Sequence, residues 1–241
     1  MRISRAMVVG LLCVATAAAA QTAEELVAKN LQARGGMDKI KAVNTLKMSG
    51  KAYVGINADV RQEQKRPDMI RQNFTVQGMT QIQAYDGSVG WQISPFEGRK
   101  DAELMGEDDM RDLVEDADID GPLVDYRAKG NKVEYLGHDV VDGDDAYKLK
   151  VTLKNGDILY YYLDPDTYLE VKKERQQFIR GSVRESEQLL GSYKQVAGVY
   201  YPFSMEIGSK GGGEHARYTI DTIEVNAPIE DSYFKMPAAK K

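Results

Sequence analysis

The sequence predicts a mainly β protein with few helices: a strongly curved antiparallel sheet with helices lying in its mouth. Three observations carry that prediction. Beyond Asn44 the apolar residues recur at period two, in about ten strands separated by short turns. Only residues 22–34 and 106–130 interrupt with clear helical spacing. A sheet that is apolar on one face needs a cover, and those two segments are the candidates to supply it.

The elements follow in order. Arg2 and Arg5 precede an apolar run over residues 6–15, and Ala18-Ala19-Ala20 precedes Gln21. This is the pattern of an export signal over residues 1–20, cleaved to leave residues 21–241 as one domain, free in the periplasm. The run is shorter than the roughly 20 apolar residues that span a membrane. Leu12 stands before Cys13 where lipid attachment would want a small residue, so lipidation is rejected. Cys13 is the only cysteine, so the processed chain is expected to have no disulfide and no thiol nucleophile. The signal holds two of the 32 basic residues and none of the 37 acidic ones, leaving 30 against 37, a net charge of −7. With no basic stripe, nucleic acid and anionic membrane surfaces are disfavoured as partners.

Thr22 is an N-cap with Glu25 at the capping-box position; Leu26, Val27 and Leu31 make the apolar stripe, and Gly35-Gly36 ends the helix. Residues 37–43 add a further turn. Strands then place Leu46, Met48 and Ala52 on one face, and Ile70, Phe74 and Val76 on one face. In "YDGSVGWQISPF" an Asp-Gly turn joins two strands, the second carrying Trp91 and Ile93 on a shared face and ending at Pro95-Phe96. Tyr147, Leu149, Val151 and Leu153 alternate with polar neighbours; Asn155-Gly156 predicts a type I′ turn and Asp164-Pro165-Asp166 the next turn. Val199, Tyr201, Phe203, Met205 and Ile207 share a face. In the helical insert, Met110, Leu113 and Val114 fall at i, i+3, i+4.

Chemistry-bearing motifs are scarce. The two histidines, His138 and His215, stand in no metal-ligand spacing, and no G-x-S-x-G elbow is present. "SKGGGEH", residues 209–215, reads as a hairpin turn. "DADIDG", residues 116–121, matches the opening of a calcium loop, but Arg127 occupies the twelfth position, where a bidentate glutamate belongs. An acidic helix end is the preferred reading and a weak calcium site the alternative. No metal or cofactor is expected.

"KRPDMIRQNF", "YDGSVGWQISPFEG" and "NAPIEDSYFKMP", in this order, resemble the LolA/LolB-like family of periplasmic lipoprotein carriers. The resemblance spans nearly all of the chain beyond the signal. It implies an incomplete antiparallel β-barrel with a helical lid over a hydrophobic cavity, without catalysis and without a cofactor. It implies lipid or lipoprotein acyl chains as cargo, an inner-membrane transporter as donor and an outer-membrane acceptor. Arg66 falls on the arginine that latches the lid in the lipoprotein carrier. Trp91, Ile93 and Phe96 are expected to line the cavity, with Ile70, Phe74, Leu149, Leu159, Phe203 and Met205 around them. An acyl chain needs only apolar area, about 0.8 kcal/mol per buried methylene. Two other readings stay open on the residues: a non-catalytic envelope adaptor with a filled core, partnering a membrane transporter, and a hydrolase.

Overall fold

The computed structural model describes residues 21–238; the predicted export signal lies outside them. Two helices open the chain, α1 (Ala23–Ala33) and α2 (Met37–Lys41). Six strands follow: β1 (Thr45–Tyr53), β2 (Asn57–Lys65), β3 (Met69–Val76), β4 (Met79–Tyr85), β5 (Gly90–Ser94) and β6 (Arg99–Leu104). After α3 (Glu107–Ala117) come β7 (Lys132–Val141), β8 (Asp144–Thr152), β9 (Ile158–Leu163), β10 (Glu170–Ile179) and β11 (Ser182–Gly191). The short β12 (Lys194–Val196) and β13 (Val199–Tyr201), then β14 (Ser204–Ser209) and β15 (Ala216–Val225), complete the set.

Thirteen strands form one sheet in the order β6-β5-β4-β3-β2-β1-β15-β14-β11-β10-β9-β8-β7, with every pairing antiparallel. β12 and β13 pair only with each other. The right-handed twist of strands coils so wide a sheet onto itself, yet β6 and β7 do not pair, so the barrel stays incomplete. These free edges are consecutive in the chain. The segment joining them, which contains α3, therefore has to cross the mouth.

Local sequence explains the elements. Thr22 Oγ1 accepts from the Glu25 amide (3.2 Å) and the Glu25 carboxylate accepts from the Thr22 amide (3.1 Å), the full capping box. Gly35 ends α1 at φ +129°, and a Cβ there would lie 2.2 Å from the Gly198 carbonyl oxygen; only glycine allows this approach to the β12–β13 hairpin. The 154–157 turn differs from expectation. Gly156 has φ +91° but Asn155 is not in the left-handed region, as type I′ would require. The Gly156 amide bonds to the Leu153 carbonyl and the Leu153 amide to the Asp157 carbonyl, a tight turn followed by a glycine bulge. Pro202 splits the predicted 199–207 strand into β13 and β14.

The main core lies on the concave face. Leu26, Val27 and Leu31 of α1 meet Leu123 and Val124 of the segment after α3, over Leu149, Val151 and Leu163 of the sheet. The opposite face of β1–β5 is covered by residues 226–237. There the Trp91 indole donates to the Phe234 carbonyl (2.7 Å), and Arg71 donates to the Tyr233 carbonyl (2.9 Å) while lying over the Tyr233 ring (4.4 Å). Phe234 is fully buried. Phe234→Ala should therefore destabilise the protein by about 3–5 kcal/mol in urea titration and shift the Trp91 emission to the red; a change near zero in both would mean that the C-terminal segment is not held.

Candidate functional site

Between the concave face and the chain that crosses it lies a cavity of about 800 Å³, in the upper part of the range for small-molecule sites. Met48, Val60, Phe74 and Ile220 line it from the β15–β3 half, and Leu159, Met205 and Ile207 from the β9–β14 half. Ile119, Pro122 and Leu123, just after α3, form its cover together with Asp112, Glu115 and Asp116 of the helix.

The predicted lining residues separate into three groups. Phe74, Leu159 and Met205 line the cavity. Ile70, Leu149 and Phe203 are buried core instead: Ile70 beneath α3 with Leu113 and Ala117, Leu149 and Phe203 in the main core. Trp91, 1% exposed, points to the opposite face; it pairs with Ala84, whose other neighbour in register is Arg71. Ile93 shares that face, being two residues on, and Phe96 is 42% exposed in the turn before β6. Alternation identifies two faces of a strand but not which one is inside, and here both are covered.

Sequence reasoning missed the polar part of the wall. Gln62, Gln72 and Gln83 stand in register on β2, β3 and β4 and face the cavity. Opposite them, Tyr161, Lys173 and Gln188 stand in register on β9, β10 and β11. The period-two signal that gave the strands was legible at these positions. Their polarity gives no apolar stripe to follow, and the wall they make is internal.

The covering segment is fastened differently on its two sides. Toward β3 and β4 the contact is apolar, with Leu113 and Ala117 packed on Ile70, flanked by Met110 and Tyr85; Val114, 38% exposed, is not part of it. Toward β10 the contact is ionic. Arg175 reaches Asp112 (2.9 Å), Glu115 (2.8 Å) and Asp116 (3.3 Å). Gln177 donates to Asp112 (2.8 Å), and Arg111 pairs with buried Asp157. At the far end Arg66 donates from Nη1 and Nη2 to both oxygens of Asp120 (2.8 and 2.5 Å). Its remaining donors reach the carbonyls of Val43 (2.6 Å) and Ile40 (3.3 Å). This fork joins α2, the end of β2 and the cover at one guanidinium. Burial pushes the Asp120 carboxyl up, but the bonds and charge of Arg66 outweigh it and hold the group below its ordinary value.

The carboxylates of "DADIDG" do not converge. Asp116 faces Arg175, Asp118 pairs with Lys129 (2.5 Å) and Asp120 with Arg66. Among the described residues there is no cluster of three or more metal-ligating side chains.

A deeply curved antiparallel sheet whose edge-to-edge connection covers an internal cavity defines a class of open-barrel, cavity-bearing proteins. No protein-family model matches the sequence, and no curated protein matches it. Solved structures do. One is a LolA superfamily protein from Nitrosomonas europaea, 12% identical over 90% of this chain and 98% of that one, TM-score 0.59. Another is a domain from Vibrio parahaemolyticus assigned to outer membrane lipoprotein sorting, 12% identical over 88% and 97%, TM-score 0.59. A DUF1329 family protein from Desulfovibrio piger is 14% identical over 88% and 97%, TM-score 0.59. The chain has the LolA-like fold.

Burial pushes the Glu115 carboxyl up to about 7; Arg175 draws it down and Asp116 pushes it up again. Its ordinary value is 4.5. Between these values the folded state binds more protons than the unfolded one, so the stability from Glu115 falls as pH rises and is gone above about 7. Glu115→Gln, which fixes a neutral group, should stabilise the protein by about 1–3 kcal/mol near pH 8 and by much less near pH 4. Urea titration at both pH values measures this; a variant less stable than wild type near pH 8 would mean that the fold needs the charge.

Proposed function

We infer that the protein is a non-catalytic periplasmic carrier that holds the acyl chain of a lipid or lipoprotein in the cavity, in the sorting of such molecules to the outer membrane. The observation that carries this reading is the cavity itself, roofed by a segment held to β10 and to Arg66 mainly by polar contacts. When the roof lifts, both partners of each pair regain hydration, which offsets much of the lost attraction, whereas the apolar seam on Ile70 gains nothing from water. The roof can swing open about that seam. Phe74, Leu159 and Met205 supply apolar wall, and methionine adapts to different chain shapes. The names of the fold neighbours from Nitrosomonas europaea and Vibrio parahaemolyticus agree with the reading. His138 pairs with Asp145 (2.6 Å) away from the cavity, and His215 pairs with Glu187 (3.1 Å), which is part of the cavity wall.

A second reading, an envelope adaptor that meets a membrane transporter, draws on the free edges. Leu104 on β6 and Val140 on β7 are exposed at the two unpaired strands, where a partner strand can add.

Mass spectrometry of lipids extracted from detergent-free native protein distinguishes the readings. The carrier reading expects an acyl lipid near one per chain. It also expects Arg66→Leu to release that lipid to vesicles several-fold faster, with an unchanged far-UV spectrum. No enrichment over a control protein would favour the adaptor, and equal release rates would remove Arg66 as the latch.

A further inference from the structure

A bare hydrocarbon chain asks nothing of Lys173, yet Lys173 stands in the cavity wall on β10. Its side chain is half-buried, with the Tyr161 ring 5.2 Å from Nζ. An ammonium partly withdrawn from water gains from an anionic partner. The carboxylates Glu170, Asp116 and Glu115 act on it through space without touching Nζ, and each has a closer partner. Glu115 and Asp116 face Arg175, and Glu170 accepts from the Tyr193 hydroxyl (3.2 Å). Among the described residues no carboxylate comes within ion-pairing distance of Nζ. Burial pushes the amine pKa down; Glu170, Asp116 and Glu115 pull it up and Arg34 pushes it down, and burial prevails. Arg34 also lines the cavity, and its one side-chain hydrogen bond is long, 3.3 Å to the Asp120 carbonyl. Gln188, beside Lys173 in register, has only the Met205 sulfur as partner (3.1 Å). Lys173, Arg34 and Gln188 are thus donors in want of acceptors, next to the apolar stretch of Met48, Phe74 and Met205.

We propose that Lys173 seats the anionic headgroup of an amphiphile, so that the occupant of the cavity is an acyl or alkyl chain ending in a carboxylate or phosphate. This rests on the carrier reading above. The headgroup answers the unpaired ammonium with a charge-assisted hydrogen bond, and Gln188 and Arg34 take its remaining oxygens. The chain runs over Phe74 and Met205, where only area matters.

Calorimetric titration with decanoate, decyl phosphate and decan-1-ol tests the assignment. In wild type both anions should bind at least about tenfold more tightly than the alcohol. Lys173→Met, which removes an unpaired charge and keeps the volume, should abolish that ratio while leaving alcohol binding within about twofold. Lys173→Arg should retain the ratio, and inorganic phosphate should not displace decyl phosphate. Equal affinity for the three probes in wild type, or an unchanged ratio in Lys173→Met, overturns the headgroup seat and leaves the carrier reading standing. Inorganic phosphate binding as tightly as decyl phosphate also overturns it, as a site for a free anion. Failure of all three amphiphiles to bind overturns the carrier reading and this inference together.

Discussion

The sheet ends at β6 and β7, which are consecutive in the chain but lie at opposite edges of thirteen strands. Whatever joins them has to cross the mouth of the coiled sheet. That single topological requirement produces the cover, and the width of the sheet produces the space beneath it. α1, α2 and the 118–130 segment build a dense core with residues of β8, β9, β1 and β15. They leave space between themselves and the wall made by β2–β4 and β10–β11, and the cavity lies there.

The cover obeys two kinds of physics. Its apolar side, Leu113 and Ala117 on Ile70, loses contact area and exposes hydrocarbon if it opens. Its polar side carries three carboxylates on Arg175 and one on Arg66. Burial, with the neighbouring Asp116 and Asp112 adding to it, raises the cost of keeping Glu115 ionised, and its raised pKa reports that. A cover so mounted has a hinge and a release edge. The partly exposed pairs, such as Arg66 at 27% and Asp120 at 11%, are reachable by water without unfolding the sheet.

Much of the fold was legible because it is local. The capping box of α1 and the alternation of β3 and β8 are written in neighbouring residues, and the break of 106–130 in the strand pattern marked the cover. What was not legible is long-range. Trp91 faces outward because residues 226–237, some 143 positions away, cover the outer face; nothing near Trp91 in sequence announces that. The resemblance pointed to Arg66, but its partner Asp120 sat inside a motif that looked like a calcium loop. Gln62, Gln72 and Gln83 carried no signal in the sequence, because alternation carries no information about which side closes.

The central claim is that an acyl chain lies inside the concave cavity and not against the outer face. An acyl chain brominated along its length quenches tryptophan fluorescence on contact. Wild type, with its single Trp91 outside, and the Phe74→Trp, Trp91→Phe double variant, with its tryptophan on the cavity wall, should then behave oppositely. The account predicts strong, saturable quenching in the double variant and almost none in wild type; quenching of Trp91, or of neither tryptophan at saturating ligand, would contradict it.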